Sequence, residues 1–127
     1  MGEKVGHPSL DAWLAEAKAL PDAGGVGMYL CHNGVVRAHS RDGRVVSGMD
    51  LAVDRGRLEQ VLETARTMEG ISVVRAWVNE GSLSVGDDIM YVLVGGDVRE
   101  HVFEALQSLV RAIKTEVVTE VEAHSGA

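Results

Sequence analysis

The stretch IMYVLVGGDVREHVFEALQSLVRAIK, residues 89–114, joins an apolar strand to the longest amphipathic pattern in the chain. Ile89 to Val94 is a continuous apolar run of strand length, and a Gly-Gly-Asp sequence interrupts it. Asp97, with Glu100 three residues later, forms a helix-capping pattern. This stretch therefore predicts a strand followed by a long helix, whose apolar face is Val102, Phe103, Leu106, Leu109, Val110 and Ile113.

Two further helices are predicted upstream. Ser9 is an N-cap candidate, and apolar residues follow it at helical spacing until a Pro-Asp and a Gly-Gly pair end the segment. Arg55 to Met68 carries the same spacing, and Gly70 stands where a glycine commonly follows a helix. The apolar residues of the two helices are Leu10, Trp13, Leu14, Ala17 and Leu20, and Leu58, Val61, Leu62 and Ala65.

Four more strands complete the pattern. A turn signal at residues 41–44 predicts a hairpin between the strands Val26 to Arg37 and Val45 to Asp54. Asn33-Gly34 is interpreted as a β-bulge or close-approach point, with a second hairpin as the alternative. Residues 80–88 are predicted to be a loop. The order αββαββαβ predicts one α+β domain over residues 1–127, with helices covering a mostly antiparallel sheet. The strands are Val26 to Arg37, Val45 to Asp54, Ile71 to Val78 and Val117 to Val121.

Composition excludes several classes of function. A net charge of −7 and an aromatic content of 4% argue against a general nucleic-acid binder, which needs a basic face or stacking platforms. No apolar run reaches the roughly 18 residues of a membrane span, and the N-terminus lacks the apolar core of a secretory signal. We therefore expect a cytoplasmic protein with no membrane and no nucleic-acid partner.

Cofactor and metal motifs are not found. The glycines near residue 25 open a strand instead of following one, so they do not form a dinucleotide fingerprint. The five histidines have no metal-ligand spacing, and Cys31, the single cysteine, is expected to be buried by packing. A meeting of His32 and His39 on neighbouring strands is the weaker alternative to two solvated imidazoles. No cofactor and no metal are expected.

Three cationic residues are candidates for an anion site. Arg99 falls near the start of the long helix, where the helix dipole disfavours a cation unless a bound anion or the neighbouring acids offset it. Lys114 lies in the last turn, where the dipole favours a cation, so its position alone indicates no function. Arg37 ends the first strand and is either a ligand for an anion or a solvated charge. His39 and Arg41 are assigned to a mobile hairpin end.

Taken together, four short motifs resemble the large, catalytic subunit of molybdopterin synthase. They follow in matching order over about Val26 to Glu122, and they are Gly34-Val35-Val36-Arg37, Gly81-x-Leu83-x-x-Gly86-Asp87, Arg99-x-x-x-Phe103-Glu104-Ala105 and Lys114-Thr115. The resemblance implies an α/β hammerhead domain that forms a homodimer within a heterotetramer. It also implies a ubiquitin-like small sulfur-carrier subunit as partner, whose Gly-Gly C-terminus is inserted as a thiocarboxylate.

The resemblance also implies the reaction and its residues. Sulfur from the thiocarboxylate is transferred twice to cyclic pyranopterin monophosphate, which forms the dithiolene of molybdopterin during molybdenum cofactor biosynthesis. By position, Lys114 is the essential lysine of this sulfurtransferase, and Arg37 and Arg99 hold the phosphate or pterin of the substrate.

The sequence departs from the family at several places. Val98 precedes Arg99 where the family has histidine, and His101 is a candidate replacement two residues further on. The family's second lysine is missing from residues 117–122, VVTEVE, and residues 48–51 replace its Glu-His-Tyr stretch. The alternatives are therefore a non-catalytic homologue that binds the small carrier without turnover, or an unrelated α+β interaction domain.

Helix geometry adds a constraint on the site. Arg99 and Lys114 on one straight helix are about 22 Å apart, at about 1.5 Å per residue, so one substrate cannot touch both. Either the two residues have separate functions, or each site combines Lys114 of one subunit with Arg99 of its mate. We favour the composite site.

Overall fold

The computed structural model describes residues 7–124 and has nine regular helices and strands in that range. A 3₁₀ turn at Ala23–Gly25 and a π-helical turn at Ile113–Val117 accompany them. In chain order the elements are α1 (Leu10–Lys18), β1 (Met28–Val35), β2 (Val46–Val53), α2 (Arg55–Arg66), β3 (Ile71–Val78), β4 (Gly81–Ser84), β5 (Asp88–Gly96), α3 (Arg99–Ala112) and β6 (Val118–His124).

The strands form two antiparallel sheets of three strands each, in the orders β1-β5-β3 and β4-β2-β6. The predicted α+β class is confirmed. None of the helices in residues 7–124 is long and apolar enough to cross a membrane. Strand β4 lies within residues 80–88, which the sequence predicts to be a loop. The sequence does not reveal this strand because it has four residues and one buried apolar side chain, Leu83, and is too short to show a period.

The predicted hairpin is correct at its turn and wrong along its strands. Val46 N donates to the Ala38 carbonyl at 2.8 Å, and His39 bridges to Val45. Beyond this bridge, β1 pairs with β5 and β2 lies between β4 and β6. Strands β1 and β2 therefore belong to different sheets, and the turn between them connects the two sheets.

Strand β5 is the centre of the core. Its residues Met90, Val92 and Val94 are fully buried in the main apolar cluster with α2 and α3, while Leu93 belongs to a smaller cluster with Trp13 of α1. Since successive side chains of a strand face opposite sides, both faces of β5 are covered. This explains why its sequence is continuously apolar instead of alternating.

Edge strand β1 has an irregular pairing next to the predicted position. Its register with β5 shifts between Gly34 and Val35, which lie opposite Met90 and Asp88, so the skipped residue is Ile89 of β5. Asn33 and Gly34 both pair with β5, so the alternative of a second hairpin at this point is wrong. Cys31, expected to be buried, is exposed. The reason is the position of β1 at the edge of its sheet, which the apolar run in the sequence does not reveal.

The two N-caps of the shorter helices form as side-chain hydrogen bonds. Ser9 Oγ accepts from Ala12 N at 3.2 Å, and Asp54 Oδ1 accepts from Arg57 N at 3.0 Å. The capping pattern predicted for the long helix is wrong, because Val98 is extended and is itself the N-cap residue, with no side-chain cap. Asp97 instead accepts from Val98 N at 2.6 Å and pairs with His101.

Candidate functional site

An open cavity of about 560 Å³ lies where the turn between β1 and β2 faces β6 and the π-helical turn Ile113–Val117. It is the meeting place of residues that are far apart in the sequence. Its lining residues are Arg37, Ser40, Arg41, Asp42, Met49, Ile89, Lys114, Glu120 and Glu122.

Lys114 owes its position to the π-helical turn that follows α3. Ile113 is fully buried and Val117 is nearly so, which fixes both ends of this turn in the core while Lys114 between them is exposed. The Val118 N–H closes the turn on the Ile113 carbonyl. A π-helical turn is a wide, uncommon geometry that recurs at functional sites, and here it presents a lysine to the cavity.

Arg37 is positioned by the buried residue before it. Val36 is 2% exposed, its N–H donates to the Asp87 carbonyl at 3.0 Å, and its carbonyl accepts from Gly86 N at 2.9 Å. These bonds fix the backbone directly beside Arg37, while the arginine side chain is exposed and lines the cavity. The structure thus brings Arg37 and Lys114, two of the predicted site residues, to one cavity.

The Lys114 ammonium already has an ionic partner in this cavity. Its Nζ donates to Glu120 Oε2 at 2.6 Å, and the Glu120 side chain is 21% exposed against 45% for Lys114. Glu120 lies on β6 opposite Leu51 of β2. Glu122, two residues further along β6, lies 3.3 Å from the His124 ring instead.

The cavity lining carries equal numbers of cationic and acidic side chains. The cations are Arg37, Arg41 and Lys114, and the acids are Asp42, Glu120 and Glu122. Arg41, assigned by the sequence to a mobile hairpin end, lines the cavity as well. An anion in this cavity therefore meets a mixed field in which each cation must be freed from, or shared with, a neighbouring carboxylate.

Arg99 lies at the other end of α3. Arg99 is not among the described residues that line the cavity. Its side chain is 76% exposed, and its Nε lies 3.9 Å from Glu100 Oε2. The fourteen residues of α3 alone span about 21 Å, and Lys114 follows them. One chain therefore does not bring Arg99 and Lys114 to the same substrate.

His101 lies at the same end of α3 as Arg99. Its Nδ1 is 2.7 Å from Asp97 Oδ1, and its Nε2 is 3.8 Å from Glu69 Oε1. The hydrogen bond with Asp97 raises the pKa of His101, and the same bond lowers the pKa of Asp97. These contacts favour an ion pair at this helix end.

The sequence indicates no function for His32 beyond the weaker alternative of a pairing with His39. Burial and, to a smaller extent, the charge of Lys114 lower the pKa of His32. His32 also lines a shallow, mostly apolar depression of about 410 Å³ between β1 and α3, with Leu30, Phe103, Leu106, Gln107 and Val110. Phe103 in this depression is 52% exposed. The alternation of β1 places His32 among its half-buried residues, but the proximity to Lys114 depends on how α3 packs on the sheet.

Within residues 7–124, no group of three or more His, Cys, Asp or Glu side chains is arranged to hold a metal ion. The cavity offers guanidinium, ammonium and carboxylate groups instead. These groups can bind a small anion, hold a proton and release it.

A family model and several solved structures match this chain. The family model described as MoaE protein matches residues 7–116. Two solved structures, one of which carries this description, are similar over most of their length. The molybdopterin biosynthesis MoaE protein from Burkholderia ambifaria is 25% identical, with a TM-score of 0.69 over 94% of this chain and 86% of that chain. Molybdopterin cofactor biosynthesis protein E from Burkholderia multivorans is 24% identical, with a TM-score of 0.70 over 94% and 87%.

A third structure contains two different subunits. The protein–protein complex of subunits 1 and 2 of molybdopterin-converting factor from Helicobacter pylori is 17% identical, with a TM-score of 0.69 over 93% of this chain and 77% of that chain. At this identity the similarity shows the fold alone. A search of curated proteins finds no match.

Proposed function

The chain belongs to the MoaE protein family, and on this basis we propose that it is the catalytic large subunit of a molybdopterin synthase. The proposed reaction transfers sulfur from a thiocarboxylated ubiquitin-like small subunit to cyclic pyranopterin monophosphate, in the cytoplasm. The observation that carries this proposal is that Arg37 and Lys114, which are far apart in the sequence, line the same cavity.

The size of the cavity supports a small-molecule substrate. About 560 Å³ lies within the range of about 300 to 1,000 Å³ that is typical of ligand sites. In this proposal the extended C-terminal tail of the carrier protein enters through the open side of the cavity. The Helicobacter pylori complex, which joins two subunits of molybdopterin-converting factor, supports a small-subunit partner.

We assign the following roles to the chain's own residues. Arg37 binds the substrate phosphate through its fork of N–H donors, because guanidinium geometry matches phosphate oxygens. Lys114 lies beside the position of the incoming thiocarboxylate, where its Nζ–H can hold the anionic sulfur group and exchange a proton during transfer. Holding both anions in one orientation removes much of the entropic barrier to their reaction.

Arg99 and His101 enter the proposal through a homodimer. Because α3 separates Arg99 from Lys114, the complete site combines Lys114 of one subunit with Arg99 of its mate. The half-exposed Phe103 and the apolar depression around it support a contact with a second copy, since an apolar surface of this kind favours association. His101 is the candidate for the family's missing histidine at the same helix end. With one small carrier bound to each subunit, the assembly is a heterotetramer.

One observation favours the second function, a non-catalytic homologue that binds the carrier without turnover. The residues that follow Lys114 supply no second lysine, and they place Glu120 and Glu122 in the cavity lining. Two carboxylates beside an anionic substrate oppose its binding and reduce transition-state stabilisation.

One experiment separates these functions. The full-length chain is incubated with thiocarboxylated small subunit and cyclic pyranopterin monophosphate, and dithiolene product is measured. Product that is lost in Lys114→Ala supports the synthase. Tight carrier binding without product supports the non-catalytic homologue, and no binding of either ligand rejects both.

A further inference from the structure

We propose that Glu120 determines ligand selectivity in the cavity by occupying Lys114 until a ligand replaces that contact. The inference rests on the proposed function for the identity of the site, but its geometry belongs to this chain. The class of ligand that it favours carries an anionic group together with a hydrogen-bond donor.

The two residues of the Lys114–Glu120 ion pair lie on two separate elements. Lys114 is held by the π-helical turn, whose flanking residues Ile113 and Val117 are buried. Glu120 is held by strand β6, which pairs with β2 through Leu51. Because both backbones are fixed by the core, the 2.6 Å contact forms with little further ordering of the chain.

In this proposal a ligand anion draws the Lys114 ammonium away from the Glu120 carboxylate, because both negative groups are attracted to the same positive charge. The Glu120 side chain is only 21% exposed, so a ligand that removes Lys114 from it leaves a largely desolvated carboxylate without its partner. A carboxylate in this situation costs free energy unless another donor satisfies it. This penalty therefore weakens the binding of an anion that carries no donor. A ligand with an adjacent N–H or O–H can donate a hydrogen bond to Glu120 and avoid it.

Glu122 provides a matched control within the same cavity. It has the same charge and lies two residues from Glu120 on the same strand, but its contact is with His124 at 3.3 Å. Removing its charge changes the mean field of the cavity and leaves the Lys114 contact in place. The two glutamates thus separate a specific pairing effect from a general charge effect.

The test measures binding of inorganic sulfate, which is a dianion without a hydrogen-bond donor at neutral pH. Sulfate replaces chloride at constant ionic strength, and ¹H–¹⁵N spectra of the full-length chain report the dissociation constant. We expect Glu120→Gln to bind sulfate about tenfold more tightly than the unmodified chain, equivalent to about 1.4 kcal/mol. We expect a change of less than about twofold in Glu122→Gln, whose charge lies outside the ion pair.

A double variant identifies Lys114 as the group that is released. In Lys114→Ala/Glu120→Gln the gain should disappear, and a gain that persists would come from the new amide and overturn the proposal. Equal gains in the Glu120 and Glu122 variants, or no gain in a folded Glu120→Gln, would overturn it as well. Glu120→Asp keeps the charge but shortens the side chain, so it should give a smaller gain and serves if Glu120→Gln does not fold.

This experiment is independent of sulfur transfer. Sulfate binding needs neither the small carrier nor the pyranopterin, so a chain without synthase activity can still show the selective gain. Conversely, a chain that makes product while Glu120→Gln leaves sulfate binding unchanged keeps the proposed function and loses this inference.

Discussion

The two ends of α3 each carry a charged pair, and the pairs differ in their surroundings. At the N-terminal end, Asp97 and His101 pack against the backbone of Gly70. At the C-terminal end, Lys114 and Glu120 face an open cavity with Arg37. The side chains of both pairs are partly exposed, and what differs is their neighbours: the backbone of Gly70 beside the first pair and the cavity beside the second.

This difference indicates separate roles for two similar ion pairs. Gly70 has a φ of +77°, and a methyl group there would overlap both Asp97 Oδ1 and His101 Nδ1. Such tight packing stabilises the start of the helix. The Lys114 pair lines the cavity instead, where a bound anion can contact the ammonium group.

The largest expected effect lies at the cavity end. Replacement of Lys114 by alanine should reduce dithiolene formation by about 100-fold or more, the scale of a lost acid–base group. The unfolding temperature should also fall, because Glu120 loses its ionic partner, but by less than for a buried pair, since the Lys114 side chain is 45% exposed. Steady-state product assays and thermal melts measure the two effects, and Lys18→Ala in α1 is the control lysine. Unchanged turnover in Lys114→Ala would remove it from the mechanism.

A glycine substitution tests the packed end. Gly70→Ala should lower the free energy of unfolding by roughly 2 to 4 kcal/mol, since it combines a left-handed backbone with a steric overlap. Gly86→Ala is the matched control, because its φ is +91° but a methyl group there meets open space. Its cost should be about 1 to 2 kcal/mol. Equal losses in urea titrations would show that the contact with Asp97 and His101 contributes nothing.

Arg37→Ala should weaken binding of cyclic pyranopterin monophosphate by about 1.5 to 3 kcal/mol, the scale of a lost charged hydrogen bond. Folding should be nearly unaffected, because the fixed residue is the buried Val36 and not the arginine. Calorimetric titration gives the affinity. Arg55→Ala, which removes an exposed arginine paired with Glu80, is the control. Equal affinity in the two variants would return Arg37 to the class of solvated charges.

The His101 pair should give a smaller, pH-dependent effect. The folded pKa of His101 lies above its ordinary value of 6.5, so its contribution to stability is complete below 6.5 and is lost as the pH rises through the folded pKa. The pKa of Asp97 lies below its ordinary value of 3.8, so its contribution is lost only as the pH falls through that lower value. Both contributions to stability are therefore present between pH 3.8 and pH 6.5.

Thermal melts of the unmodified chain and of His101→Ala measure this window. The melting temperatures should differ more at about pH 5.5 than at about pH 8.5. A difference that is independent of pH would contradict the ion pair. Substrate affinity of the same variant decides whether His101 also contributes to the mate's site.

The smallest expected effect is a change in the titration of His32. Lys114→Ala removes the weaker of two causes that lower the pKa of His32, and burial, the larger cause, is unchanged. The pKa should therefore rise in the variant but stay below its ordinary value. A histidine NMR titration checks this, and an unchanged curve would show that Lys114 exerts no field on β1.

Much of the fold could be predicted from local patterns. Strand β3 begins and ends at the predicted residues, and α2 begins at its predicted residue because Asp54 supplies the cap. The irregularity predicted at Asn33-Gly34 lies next to the observed register shift between Gly34 and Val35, although the extra residue belongs to β5. The separation of β1 and β2 into different sheets could not be predicted, because a turn signal shows that the chain reverses but not which strands share hydrogen bonds. The prediction that Cys31 is buried is wrong for the same reason, since edge positions depend on strand order.

The family, most of the helices and strands, and the candidates Arg37, Arg99 and Lys114 follow from the sequence, because periodicity, turn residues and short motifs are local features of the chain. Which candidates lie together follows from the fold. It brought Lys114 to Arg37 and to Glu120, and it left Arg99 at the far end of a rigid helix. The physical reason is that side-chain proximity depends on how strands pair and how the buried face of α3 packs on the sheet.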